Sequence, residues 1–158
     1  MKSRKNLMIG MFVISVVIAF DSWVQAWVFS VLQEGKSNSI APFFNFVKVW
    51  NHGISFGMLN NMPYSQWILS LFAIAVSVFL SRLLLRSENS SEALGYSLII
   101  GGAVGNAIDR VLYGAVADYL DFHAFGYHWP AFNVTDSAIF MGVTLILLFF
   151  GKTAKSTT

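Results

Sequence analysis

NAIDRVLYGAVADYLDF, Asn106 to Phe122, ends an almost wholly apolar run that starts near Ala93. Four charged side chains fall inside it, Asp109, Arg110, Asp118 and Asp121, in a chain of 158 residues with only eight acidic ones. About 20 apolar residues, rising roughly 1.5 Å each as helix, cover about 30 Å of hydrocarbon. Ala93 to Leu112 has that length. The stretch therefore reads as the end of a membrane-crossing helix that loosens near Gly114 and continues along the far surface.

The composition agrees with this reading. The chain is 56% hydrophobic and 11% charged, and its mean hydropathy is +0.62, whereas a soluble domain carries about 25% charged residues. So much apolar surface needs a bilayer to cover it, and the length suits one domain, residues 1–158. Three more stretches are long enough to span, Leu7 to Leu32, Tyr64 to Leu85 and Phe132 to Phe150. Lys2, Arg4 and Lys5 ahead of the apolar Leu7 to Phe20 imitate a secretory signal. No small-residue cleavage site follows, and the apolar character resumes past Asp21 through Trp23, Trp27 and Leu32, so the segment is read as a retained span.

Seven of the ten Lys and Arg residues lie at the amino terminus (Lys2, Arg4, Lys5), after the second span (Arg82, Arg86) or in the tail (Lys152, Lys155). The positive-inside rule places those ends in the cytoplasm. Both termini are then inside, and the segments facing out are about 33–63 and 113–131. FFNFVKVWN, Phe43 to Asn51, follows Pro42 with partial alternation and several aromatics, and suggests a short strand pair on the membrane surface. The second outer segment carries Tyr119, Phe122, Phe125, Tyr127 and Trp129, side chains that favour the headgroup zone. The expected fold is an all-α membrane protein of four transmembrane helices with a small β-containing segment outside.

Depth along these spans gathers the acids at one level. Asp21 lies 14 residues past Leu7 and Asp109 lies 16 past Ala93, which puts them roughly 21 and 24 Å from the inner boundary. Asp136 opens a span that runs inward, and Asp118 and Asp121 follow Gly114, so all five aspartates meet near the outer rim. A charge at the bilayer centre costs about 2.5 to 3.5 kcal/mol on insertion scales, and less toward the interface, so such a cluster should face a polar cavity or a partner. Asn51, Asn106 and Asn133 bring amides to the same level, and Arg110 brings a fixed positive charge.

Simpler roles compete for several of these residues. Asn133 followed three residues later by Asp136 resembles a helix N-cap with an acid in the first turn. Asp109 beside Arg110 reads as a neutralising pair, and Asp21 as the end of the apolar part of the first span. Gly101, Gly102 and Gly105 lie inside a span, where small residues permit close helix packing rather than phosphate binding. His52, His123 and His128 match no compact metal motif, and the chain has no cysteine, which excludes disulfides and thiol chemistry. No metal or organic cofactor is expected. The net charge of +2 comes without an Arg/Lys stripe interleaved with stacking aromatics, so nucleic acid is not an expected partner. Two functional classes remain. A pair of carboxyls sharing one proton can hydrolyse an amide, one activating water while the neutral one polarises the carbonyl. Alternatively, intramembrane acids can relay protons or ions in a transporter, although these acids occupy one side only.

Several motifs together resemble the lipoprotein signal peptidase (signal peptidase II) family, aspartyl proteases with four transmembrane helices. They are Asp21 late in the first span, NHGISFG (Asn51 to Gly57), GGAVGNAIDR (Gly101 to Arg110), VADYLDF (Val116 to Phe122) and FNVTDSAI (Phe132 to Ile139). The resemblance covers nearly the whole chain. Five aspartates give ten possible pairs, and spacing does not choose among them. The resemblance implies Asp118 and Asp136 as the catalytic dyad. It further implies that Asn51, Gly53, Asn106, Arg110 and Asn133 hold substrate or position the dyad, with Asp21 and Asp109 in support. The implied substrate is a diacylglyceryl-modified prolipoprotein cut on the amino side of its lipidated cysteine, with membrane lipids as surroundings. The implied setting is a monomer in the bacterial inner membrane, with its site near the periplasmic face. A gate for lateral substrate entry is expected in residues 42–60. The chain departs from the family pattern at Gln25, where a lysine is usual and would pair with Asp21, so that at best a hydrogen bond to Asp21 remains. It also departs at Ser55, which replaces the usual alanine, at Tyr119, which replaces phenylalanine after Asp118, and at Thr135 before Asp136.

Overall fold

The computed structural model describes residues 2–54, 58–59 and 62–153. Ser55 to Gly57 of the NHGISFG element, Asn60 at the end of the expected gate, and Lys155 lie outside the described residues. Among the described residues four helices form, α1 (Lys2–Val31), α2 (Ser65–Arg86), α3 (Ser90–Tyr113) and α4 (Val134–Thr153). Their bounds follow the four apolar stretches to within a few residues, except that α1 begins earlier and includes the polar start of the chain. Two helices among the described residues are long and apolar enough to cross a membrane, Ser3–Val31 and Ser65–Arg86, while the apolar part of α4 runs Val134–Phe149.

α3 is the hub, packed against the other three helices. Its sequence suits that place, because Gly95, Ser97, Gly101, Gly102, Ala103, Gly105, Asn106 and Ala107 are all buried. Leu80, Leu84, Tyr96, Ile99 and Ile100 pack in the core, but many other large apolar side chains point the other way. Phe12 on α1, Phe72 on α2 and Leu147 on α4 are 69%, 67% and 69% exposed. Small and polar residues inside with Phe and Leu outside invert the arrangement of a soluble bundle, and a lipid solvent is what makes that arrangement stable.

The glycines of α3 set how closely α4 can approach. A Cβ on Gly102 would run into the Thr135 carbonyl oxygen and lie 2.6 Å from Ile139 Cγ1, and one on Gly105 would lie 2.5 Å from Thr135 Cγ2. The obstacle at Gly102 is backbone, which cannot rotate aside. Gly102→Ala is therefore expected to push the start of α4 off α3, lowering stability by about 1–3 kcal/mol and lowering activity. Thermal unfolding in detergent and a cleavage assay check both effects.

Among the described residues, a four-stranded antiparallel sheet covers one end of the helices, in the order β1 (Ser37–Ala41), β2 (Phe44–Asn51), β3 (Val116–Ala124), β4 (Tyr127–His128). The strand pair expected in residues 33–63 is present as β1 and β2. The extension of the sheet into the second outer segment is a correction to the sequence reading, which saw only interfacial aromatics there. Residues 116–119 of β3 are buried without alternation, and two aspartates interrupt the strand, so it carries no period-2 signal. Gly114 makes the corner into β3, with φ 76 in the left-handed region and its N–H bonded to Arg110 O. The register then sets Asp118 opposite Val49 and Val116 opposite Asn51.

Candidate active site

Asp118 on β3 and Asp136 on the first turn of α4 line one cavity of about 900 Å³. Asn51 at the end of β2, Gly53 just after it, and Asn106 and Arg110 on α3 line it too, and Ile139, Phe140, Met141 and Val143 of α4 form an apolar wall. Asp118 is 2% exposed. Its Oδ2 accepts from Asn51 Nδ2 at 3.0 Å and its Oδ1 from Asn133 Nδ2 at 3.1 Å. Asp136 Oδ1 accepts from Asn106 Nδ2 at 2.8 Å.

Asn133 joins the two acids. Its Nδ2 reaches Asp118, while its Oδ1 accepts the Asp136 N–H at 2.7 Å. The second bond is the N-cap expected from the sequence, and it forms without excluding a role in the site. Thr135 Oγ1 lies 2.7 Å from both Asn106 Oδ1 and Asn133 Oδ1, and its single proton can serve either; the Asp136 N–H fixes the Asn133 oxygen and the Asp136 carboxylate fixes the Asn106 NH2, so both amide oxygens turn toward Thr135. Their NH2 groups then face the carboxyls.

Arg110 reaches across to β2, donating from Nη2 to Gly53 O at 2.9 Å and from Nη1 to Asn106 O at 3.3 Å. Its Nε is buried without a partner among the described residues. The neutralising pair with Asp109 is not formed, because adjacent helix residues point about 100° apart. Asp109 instead accepts from Ala117 N at 3.1 Å and Gln25 Nε2 at 3.4 Å. That second contact corrects the expectation for Gln25, whose amide bonds Asp109 rather than Asp21. Asp21 does not simply end an apolar run. It is 4% exposed, and its Oδ1 accepts from Tyr119 OH at 2.8 Å and Thr135 N at 3.2 Å.

The five aspartates thus share a level but not a site. Asp118 and Asp136 face the cavity, whereas Asp21 and Asp109 lie behind it against α1 and β3. Asp121 pairs with His128 at 2.8 Å and accepts from Asn45 at 2.8 Å. Burial works to raise the Asp121 carboxyl, but these hydrogen bonds outweigh it and hold the group below the usual carboxylate range. Asp118 goes the other way. Burial, reinforced by the nearby Asp136 charge, pushes it up to about 8, against the opposing pull of the Asn51 hydrogen bond and the Arg110 charge. No group of three or more metal-ligating side chains occurs among the described residues. Thr135 entered the sequence reading only as a departure from a pattern, and Tyr119 also as an interfacial aromatic, which its burial against Asp21 corrects. Both are fully buried nodes of this network, and no periodicity or motif spacing signals that.

The family model for signal peptidase (SPase) II matches residues 13–151. The chain is 42% identical over 134 residues to the lipoprotein signal peptidase of Paraburkholderia phymatum, covering 84% of this chain and 81% of that protein. It is 40% identical over 149 residues to the lipoprotein signal peptidase of Oleidesulfovibrio alaskensis, covering 92% and 96%. A solved bacterial membrane enzyme superposes with a TM-score of 0.85 at 28% identity, over 94% of this chain and 91% of that one.

Proposed function

Because this chain belongs to the signal peptidase II family, we propose that it is an aspartyl endopeptidase that removes signal peptides from diacylglyceryl-modified prolipoproteins, cutting on the amino side of the lipidated cysteine. Asp118 and Asp136 are its catalytic residues. The observation that carries this reading is that the buried Asp118 carboxyl and the half-buried Asp136 carboxyl, on separate elements, face one cavity, with Asn133 bonded to the first carboxyl and to the backbone N–H of Asp136. One carboxyl takes a proton from the attacking water. The other, kept neutral, donates to the scissile carbonyl oxygen as the tetrahedral centre forms. Arg110 Nε, buried and unpartnered among the described residues, offers a donor to a peptide carbonyl laid along Gly53. The apolar wall of α4 continues the cavity toward the lipid and suits the greasy segment ahead of the cleavage point.

All four helices cross the inner membrane in this reading, as one domain with both termini in the cytoplasm and the sheet lying on the periplasmic surface. The protein acts as a monomer within its lipids. Family membership gives the transporter alternative no support. The test is incubation of the purified chain in vesicles with a diacylated prolipoprotein. Release of the signal peptide, leaving the lipidated cysteine as the new amino terminus, is the expected outcome. An intact substrate accompanied by proton or solute flux would reject the reading.

A further inference from the structure

The first turn of a helix leaves backbone N–H groups without intrahelical partners. In α4 those of Val134, Thr135 and Asp136 are each met by a side chain. Asp136 N donates to Asn133 Oδ1 at 2.7 Å, the ordinary cap. Val134 N donates to Tyr119 OH at 3.2 Å, and Thr135 N to Asp21 Oδ1 at 3.2 Å. Tyr119 OH in turn donates to the same Asp21 oxygen at 2.8 Å. A closed ring results, running from Val134 N through the phenol and the carboxylate back to Thr135 N, one residue before Asp136. Tyr119 and Thr135 are 0% exposed and Asp21 4%, so water cannot replace a lost partner there and each bond matters more than it would at a surface.

Tyr119 also directly follows Asp118 on β3, and successive strand residues point to opposite faces. Asp118 faces the cavity, and Tyr119 faces α1 and Asp21. One short piece of strand thus places the first carboxyl directly and reaches behind it to the base of the second.

We propose that Tyr119 and Asp21 are positioning residues for Asp136, acting through the backbone of the first turn of α4 and touching neither substrate nor water. The inference rests on the assignment of Asp118 and Asp136 as the catalytic pair. Loss of the phenol hydroxyl frees the Val134 N–H and one Asp21 lone pair, the turn relaxes, and the Asp136 carboxyl leaves its working geometry while the cavity that binds substrate is unchanged.

The test uses the full chain in vesicles with a diacylated prolipoprotein. Tyr119→Phe, which keeps the packed ring, is expected to lower kcat about 10- to 50-fold with KM within about twofold. Asp21→Ala should do the same, and the double variant should be no slower than the slower single one, because both remove one ring. Asp21→Asn retains an acceptor oxygen and should lose at least about fivefold less than Asp21→Ala. Amide exchange at Val134 and Thr135 should quicken selectively in Tyr119→Phe. A folded Tyr119→Phe protein with kcat within twofold of the parent, or losses that multiply in the double variant, would overturn the proposal. Should Tyr119→Phe not fold, the Asp21 pair decides alone, since equal losses in Asp21→Asn and Asp21→Ala would overturn it too. Asp136→Asn runs alongside, and turnover in that variant would mean that the catalytic assignment itself had failed.

Discussion

Asp118→Asn and Asp136→Asn proteins, purified and folded, are expected to release signal peptide at least about 1,000-fold more slowly than the parent, the scale on which losing a positioned acid or base acts. The two changes are nearly equal in volume but not in their structural consequences. Asp136 accepts from Asn106 at one oxygen. An asparagine there can keep its carbonyl toward Asn106, so stability should fall less than in Asp118→Asn. Asp118 accepts from amides at both oxygens, Asn51 at one and Asn133 at the other. An asparagine there must set its NH2 against one of those donors. Asn133 cannot turn, since its oxygen already holds the Asp136 N–H. Asn51 would have to flip, giving up the bond its Oδ1 accepts from Gly53 N at 3.0 Å. Asp118→Asn should therefore cost about 1–3 kcal/mol of stability, the penalty for an unpaired buried donor. Equal losses of activity with unequal losses of stability would separate chemistry from folding. Turnover within tenfold of the parent in either variant would sink the dyad.

How far the sequence anticipates this arrangement depends on the kind of signal each part carries. The helices were legible because crossing hydrocarbon demands length and apolarity, and both are written along the chain. The gathering of Asp21, Asp109, Asp118 and Asp136 toward one end of the helices was legible too, since position along a helix is a count of residues times a fixed rise. The sorting of the five aspartates into a cavity pair, a rear pair and one acid paired with His128 was not legible. It depends on rotation about each helix axis and on β3, whose buried, aspartate-bearing residues carry no strand periodicity. The Gln25 contact shows the same limit. Four residues separate it from Asp21 on one helix, which suggests a partner, yet the amide crosses to Asp109 on α3 because α1 and α3 pack closely there. The small residues of α3 read correctly as packing positions. Which neighbour each admits, with Gly101 against Val17 and Gly102 against Thr135, follows only from the assembled bundle.

Cleavage should rise and then fall with pH, and the falling limb should lie near pH 8. Asp118 is the carboxyl that sets it. Burial, then the charge of Asp136, raises it from 3.8 to about 8, so at neutral pH it carries a proton. With one proton shared by Asp118 and Asp136, one carboxyl of the pair is expected to donate to the carbonyl oxygen while the other takes the proton from water. Above about pH 8 the shared proton leaves, both carboxyls are anionic, and the rate should drop about tenfold for each further pH unit. On the acid side the base is lost by protonation, which gives the rising limb. Arg110 pulls the Asp118 carboxyl downward, so Arg110→Gln should shift the alkaline limb to higher pH whatever it does to substrate binding. Stability carries a matching sign. The folded protein holds a proton on Asp118 that the unfolded chain releases above about pH 3.9. Folding free energy from this group is therefore fully present below that value and lost as pH rises toward about 8. Thermal midpoints measured across that window should fall for the parent and fall less for Asp118→Asn, which has no proton to release. A cleavage rate that stays level up to pH 10 would remove Asp118 from the proton-sharing pair. The same level rate with an unchanged stability slope would mean that the group titrates as described but takes no part in the chemistry.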